Sequence, residues 1–191
     1  MSLPTTLHVE TERLLVRPVA ESDLDDLQQV NGDDAVTRFL PYASWRSADD
    51  ATAWLARMRG IEQNGSGLQL VVAERATGSN GGGRAIGTCL LFRYDAGSAR
   101  VELGYALAHA RWGRGVMREA LGALIRHLFD AAGLRRLEAE VHPLNAASCH
   151  LLEGLGFVAE GLLRERWVGK TGAYDTRLYG LLARDHAAPS A

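Results

Sequence analysis

The stretch Arg111-Trp112-Gly113-Arg114-Gly115-Val116-Met117-Arg118-Glu119-Ala120 joins a strand-like segment, residues 99–107, to a long amphipathic helix pattern. Beyond it Met117, Leu121, Leu124 and Leu128 recur at i, i+4, i+7 and i+11, which makes one apolar stripe on a helix starting near Val116. A helix start leaves its first amides without intrahelical partners and carries the positive end of the macrodipole. Gly113 and Gly115 keep Cβ atoms away from that backbone, so a pyrophosphate can rest on these amides. Arg111, Arg114 and Arg118 add guanidinium donors suited to a phosphate. Two glycines also suit a tight strand-to-helix turn with no ligand, and the loop alone does not choose between these readings.

Two common nucleotide motifs fail on spelling. A Walker loop needs Gly-Lys-Ser/Thr, and the only lysine in the chain is Lys170. A dinucleotide fingerprint needs a third small residue where Arg118 stands.

Upstream, residues 13–18 read as a strand ended by Pro18, Ser22 as a helix cap, and Ser47 with Asp50 as a capping box for a second helix. Two strand-like segments flank Gly78-Ser79-Asn80-Gly81-Gly82-Gly83, which predicts a long hairpin. Downstream, Gly133 ends the long helix, and residues 135–142 alternate Leu137, Ala139 and Val141 inward with Glu138, Glu140 and His142 outward. Asn145 then caps a short helix running to about Glu153, Gly156-Phe157 turns the chain into another strand, and Gly169-Lys170-Thr171-Gly172 closes a last hairpin. The expectation is one domain over residues 8–183, with tails 1–7 and 184–191, built as a mixed α+β sheet of about seven strands and four helices.

Composition narrows the function. The 191 residues carry 21 basic and 23 acidic side chains, a net charge of −2, so bulk attraction to nucleic acid or an acidic membrane is not expected. No apolar run reaches the roughly 20 residues that a spanning helix needs, and Met1-Ser2-Leu3-Pro4 lacks a secretory pattern, which predicts a cytoplasmic protein. Cys89 and Cys149 lack metal-knuckle spacing, and the six histidines are scattered, so no metal is expected.

The order strand, Trp112-Gly113-Arg114-Gly115-Val116-Met117, helix, strand, Asn145-x-x-Ser148, helix, Gly156-Phe157, strand resembles the GCN5-related N-acetyltransferase (GNAT) family. Val101-Glu102-Leu103-Gly104-Tyr105, the tryptophan before the glycine loop, and Asn145-Ala146-Ala147-Ser148 leading to Leu155-Gly156-Phe157 are similar to its RimJ/RimL branch, which acts on ribosomal-protein N-termini. So are the opening residues 10–18 and the ending Tyr174-Asp175-Thr176-Arg177-Leu178-Tyr179. The resemblance implies the GNAT acyl-CoA N-acyltransferase fold, with acetyl-CoA as acetyl donor in a cleft where two central parallel strands splay apart. It implies pantetheine on backbone groups of Ala106 and Leu107 and on Asn145, and pyrophosphate on the loop of Trp112, Gly113, Arg114, Gly115, Val116, Met117 and Arg118. Trp112 departs from the family's usual glutamine or arginine, and Met117 from its usual small residue.

The implied chemistry is direct attack of a primary amine on a thioester, which needs a base and a proton for the departing thiolate. Many GNAT enzymes place a tyrosine acid where this chain has Leu152, so Ser148, one turn earlier, takes the implied place near the sulfur. A first-turn serine satisfying a free amide is the alternative. Glu102, an acid within an apolar strand, is the expected base, with a water relay as the other route for the proton and a solvated strand residue paired with an arginine as the other reading of Glu102. His142 is either a titrating group or a cap before Pro143. In this fold the acceptor cleft would be walled by Phe39, Tyr42, Trp45 and Trp54, with Trp167 and Tyr174 opposite; ordinary packing is the other reading, preferred for Trp54. The acceptor is a protein α-amine, a small amine such as a polyamine, aminoglycoside or amino acid, or none at all if the chain only senses acyl-CoA. Monomer and homodimer both fit the apolar pattern.

Overall fold

The computed structural model describes residues 6–75, 83–170 and 172–186. One sheet is built from β1 (Val9–Glu10), β2 (Leu14–Pro18), β3 (Leu68–Glu74), β4 (Ala85–Asp95), β5 (Arg100–Leu107), β6 (Arg136–Val141), β7 (Val158–Gly169) and β8 (Gly172–Leu182). The helices are α1 (Leu24–Asn31), α2 (Asp34–Thr37), α3 (Ala48–Gln63), α4 (Val116–Asp130), α5 (Ala146–Glu153) and α6 (Ala183–His186). Strand order is β1-β2-β3-β4-β5-β6-β8-β7. Every neighbouring pair is antiparallel except β5 and β6.

The expected seven strands become eight, with residues 9–18 forming two strands. Thr11 N donates to Leu14 O at 2.9 Å and folds β1 back along β2. The four expected helices are α1, α3, α4 and α5; α2 and α6 are four-residue turns, and α6 extends the fold into the expected tail. Ser22 is not the cap of α1. It lies within a 3-10 turn, Glu21–Asp23, where the Asp23 carboxylate accepts from Ala20 N at 2.8 Å and pairs with Arg17. Ser47 and Asp50 do form the capping box of α3. Residues 78–82 of the expected hairpin loop lie outside the described residues, and the strands beside it, β3 and β4, pair antiparallel.

Helices cover both faces. The stripe on α4 is buried, with Leu121, Leu124, Ile125 and Leu128 sealed against one face of the sheet together with Val101, Leu103, Leu137 and Ala139. Each such side chain contributes about 1.5–3 kcal/mol. The other face carries α1 and α3, where Leu27, Trp54 and Met58 pack with Trp45 and Val71. Because side chains alternate along a strand, Glu102 and Gly104, between Val101, Leu103 and Tyr105, face the α1–α3 side.

The parallel pair is short. β5 and β6 are in register only at Arg100–Arg136, Val101–Leu137 and Glu102–Glu138. Past that point β5 stays with β4 as far as Leu107, and β6 stays with β8 as far as Val141. The two strands therefore part at Glu102 and leave a wedge.

Candidate active site

Backbone polarity decides what the wedge offers. Ala108 N donates to Ile86 O and Ala99 O accepts from Arg135 N, so even-numbered residues of β5 turn their amides and carbonyls to β4 and odd-numbered ones to β6. Ala106 is thus committed to Thr88 on β4. Leu103, Tyr105 and Leu107 point theirs into the wedge, and the Leu107 carbonyl there accepts from Trp112 Nε1 at 2.8 Å. Trp112, 46% exposed, also stacks on His109 at 4.5 Å. Its departure from the usual residue has a local cause: the indole pins the loop to the end of β5.

Gly113 and Gly115 both adopt left-handed φ, 70° and 71°. A side chain there would cost roughly 1–2 kcal/mol. No atom within 4 Å crowds a Cβ at Gly113, so conformation rather than space demands the glycine. The first α4 hydrogen bond at this end is Glu119 N to Gly115 O at 3.0 Å, which leaves the amides of Val116, Met117 and Arg118 at the helix start without acceptors in the helix. Glu119 anchors this end to the β1–β2 turn, accepting from Thr11 Oγ1 at 2.5 Å and Arg13 Nε at 2.7 Å. The three arginines differ. Arg111 pairs with Glu74 at 2.9 Å and Arg118 donates to Gly154 O at 2.8 Å, so of these three arginines Arg114 is the one whose guanidinium has no partner among the described residues. The amides, the strand alternation and Arg114 together fit a pyrophosphate followed by an extended amide chain.

At the vertex two carboxylates lie on the α1–α3 side. Glu102, 4% exposed, accepts from Arg93 Nη1 at 2.7 Å. The same nitrogen reaches Glu140 at 3.1 Å. Burial pushes the Glu102 carboxyl above its ordinary value, only partly offset by Arg93 and reinforced by Glu140 and Glu138. Glu102 is thus not the solvated strand residue of the alternative reading, although it does pair with an arginine. Glu140 corrects the expectation of an outward strand acid, since its side chain is only 5% exposed. Burial would raise its pKa too, but the hydrogen bonds of Arg166 and Trp167 and the charges of Arg166 and Arg93 hold it below the usual range. Trp167 Nε1 donates to it at 2.6 Å and Thr176 Oγ1 at 3.3 Å.

Two β-bulges deliver these partners. In β4 the register slips between Phe92 and Asp95, and Arg93 takes φ 51°. Phe92 faces Gly104 and Arg93 reaches Glu102, so consecutive residues share one face where a regular strand would oppose them. In β7 the register slips between Leu163 and Trp167, and Glu165 takes φ 47°. Arg166 and Trp167 then both reach Glu140.

Across the wedge, Asn145 Oδ1 accepts from Ser148 N at 3.2 Å and caps α5. Ser148 Oγ lies 2.6 Å from the Tyr105 hydroxyl. Burial raises the Tyr105 phenol well above its ordinary value against the opposing hydrogen bond with Ser148, so it stays protonated. Tyr105 is the site residue that sequence reasoning missed, although it ends the Val101–Tyr105 segment and its odd position puts its side chain on the α4 face with Val101 and Leu103. Leu152, in the place of the usual acid, is buried in the core.

The expected cleft walls divide. Trp45 and Trp54 stack on each other at 5.3 Å and are core. Tyr42 donates to Asn31 Oδ1 at 3.0 Å, and burial pushes its phenol up to about 12. Phe39 and Tyr174 sandwich His142, with centroids 5.1 and 4.9 Å away, and His142 Nδ1 accepts from Leu144 N. Lys170 Nζ donates to Thr37 O at 3.2 Å and Oγ1 at 3.1 Å, tying the β7–β8 hairpin to α2.

A parallel pair that parts beside a glycine-turned helix start is the arrangement that the resemblance to the GNAT family implies. A family model described as an acetyltransferase (GNAT) domain matches residues 13–158, and the chain belongs to this family. It is 32% identical over 177 residues to the uncharacterized N-acetyltransferase p20 of Bacillus licheniformis, covering 93% of this chain and 97% of that one. Mycobacterium smegmatis RimJ, solved in complex with CoA-disulfide, superposes with a TM-score of 0.79 at 22% identity, covering 92% of this chain and 84% of that one. Spermidine N-acetyltransferase from Vibrio cholerae, solved with CoA and spermine, gives 0.77 at 19%, covering 93% and 100%. At these identities the likeness to the two structures carries the fold alone. The chain is an acetyltransferase. Among the described residues no helix is long and apolar enough to cross a membrane.

Proposed function

We propose that the chain moves the acetyl group of acetyl-CoA to a peptide α-amine, in the manner of the RimJ/RimL branch, with Glu102 as base and Ser148 as proton donor. The observation that carries this reading is a buried carboxylate at the point where β5 and β6 part, with the free amides of α4 on the same cleft. Gly113, Gly115, the amides from Val116 to Arg118 and Arg114 would hold the pyrophosphate. Leu103, Tyr105 and Leu107, with Asn145, would line the pantetheine arm. When bound, acetyl-CoA supplies the thioester carbonyl that the amine attacks, forming a C–N bond as the C–S bond breaks.

Glu102 takes the proton that the attacking amine must lose, and its raised proton affinity makes it a stronger base for that role. Ser148 gives a proton to the departing sulfur. Either hydroxyl can donate across the 2.6 Å Tyr105–Ser148 contact; with the phenol protonated, its donating to Ser148 Oγ would leave the serine hydrogen free to point elsewhere. This pair stands in for the tyrosine that Leu152 replaces.

A polyamine acceptor needs uncommitted acids to bind its distal ammonium groups, and the acids around the vertex are paired. Glu138 binds Arg100 and Arg136, Glu140 binds Arg93 and Arg166, and Glu160 binds Arg136. This pairing favours a singly charged α-amine over spermidine.

The test is thermal unfolding with millimolar acetyl-CoA beside thiol release on peptide amines and on spermidine. A raised melting temperature with release on peptides supports the reading. Release on spermidine alone transfers it to small amines, a shift without release makes the chain a sensor, and no shift removes the co-substrate. Tyr105→Phe should lower kcat about 5–10-fold, the worth of one hydrogen bond, with little change in KM for acetyl-CoA.

A further inference from the structure

We infer that Arg93 is a positioning residue for the reaction, placed by the β4 bulge so that its guanidinium fixes one oxygen of the Glu102 carboxylate and keeps that carboxylate ionised. The inference rests on Glu102 being the base.

Three observations lead to it. Arg93 holds a left-handed backbone conformation that a residue with a side chain adopts at a cost, and it does so inside a bulge, a feature that re-aims side chains. The bulge turns Arg93 onto the face of Glu102, and Phe92 and Trp167 both stack on its guanidinium, at 5.6 and 5.2 Å. Finally, the contact engages only Oε2 of Glu102, leaving Oε1 for an acceptor amine or a water that relays its proton.

The charges around Glu102 give the contact its weight. From β4 comes Arg93; from β6 come Glu138 and Glu140; Arg166 of β7 acts on it through space. Arg100 of β5 and Arg136 of β6 are taken up by Glu138. Glu140 has its own donors in Arg166, Trp167 and Thr176, whereas Arg93 is the cation in contact with Glu102. Removing Arg93 leaves Glu102 beside two carboxylates, and its affinity for a proton rises. Protonated Glu102 cannot accept a proton from the amine, so activity is lost at low pH and recovered once the pH exceeds the new value.

The experiment is kcat/KM against pH for the wild type, Arg93→Gln, Arg93→Lys and Glu102→Gln, each with its melting temperature. The expected result is an acid limb displaced upward by about one pH unit or more in Arg93→Gln, a smaller displacement in Arg93→Lys, and recovery of rate at high pH. An Arg93→Gln profile lowered evenly at all pH values, or one whose limb does not move, overturns the inference. Arg93→Lys preserves the charge and serves if the glutamine variant fails to fold: a lysine profile identical in shape to the wild type with kcat unchanged shows that the guanidinium geometry is not needed, and overturns the positioning role. If Glu102→Gln keeps the wild-type rate and acid limb, the base assignment itself falls, a result distinct from failure at Arg93.

Discussion

Glu102 and Glu140 are neighbours on one face of the diverging pair, equally buried and joined through one arginine nitrogen, yet their proton affinities move in opposite directions. The difference is the number of donors. Glu140 receives two arginines, an indole and a hydroxyl. Glu102 receives a shared arginine alone and sits beside two other acids. Burial without enough donors makes a proton acceptor; the same burial with a full set makes a strut.

The largest test of that contrast is Glu102→Gln. General-base removal should lower kcat/KM by about 10²–10⁴-fold, while stability at pH 8 should hold or improve. The sign follows from the raised folded pKa: such a group contributes stability below its unfolded pKa of about 4.3, and that contribution is lost as pH rises through the folded value. Melting curves from pH 4 to pH 8 would check this, and a large drop in melting temperature at pH 8 would show that Glu102 is a strut as well.

Glu140→Ala should do the reverse. It strands the Trp167 indole and part of two arginines, costing about 2–3 kcal/mol because the arginines can rehydrate. The melting temperature should fall by about 5–10 °C, with kcat changed far less than in Glu102→Gln. Since Glu140 is held below its ordinary range, the deficit should be full above its unfolded pKa of about 4.3 and shrink as pH falls through the folded value.

The smallest effect belongs to Thr176→Val, which removes one long donor from a saturated carboxylate. About 0.5–1 kcal/mol is expected, read by chemical denaturation. A larger loss would mean that Glu140 is not saturated, and the contrast would weaken.

Much of this architecture is legible in the chain. The α4 stripe, the capping residues Ser47 and Asn145, and the glycines that turn into α4 follow from spacing and local chemistry, and the order of motifs points to the splayed pair. The partners of the carboxylates are not legible. Alternation assigns Glu140 to the solvent side, and there Arg93, Arg166, Trp167 and Thr176 cover it. The bulge at Arg93 inserts one extra residue and the bulge at Glu165 two, changes that composition does not display, and neither Arg93 nor Glu165 is a glycine that would announce a left-handed turn. The arginines show the same limit: Arg111, Arg114 and Arg118 are equivalent by spacing, and only the distant positions of Glu74 and Gly154 decide which stays free. Tyr105 was in view as part of a motif, but its meeting with Ser148 depends on how α5 docks.

The two bulges also say how this enzyme tolerates change over evolutionary time. Each stores its information in a count of residues, not in their identity. Deleting one residue near Arg93 would restore even alternation and turn the neighbouring side chains to the opposite face, whereas the bulge at Glu165 holds two extra residues and both would have to go. Homologous chains that keep this site should therefore vary in letters across residues 92–95 and 163–167 while holding the length of both windows constant. In these two strands, spacing is the inherited trait.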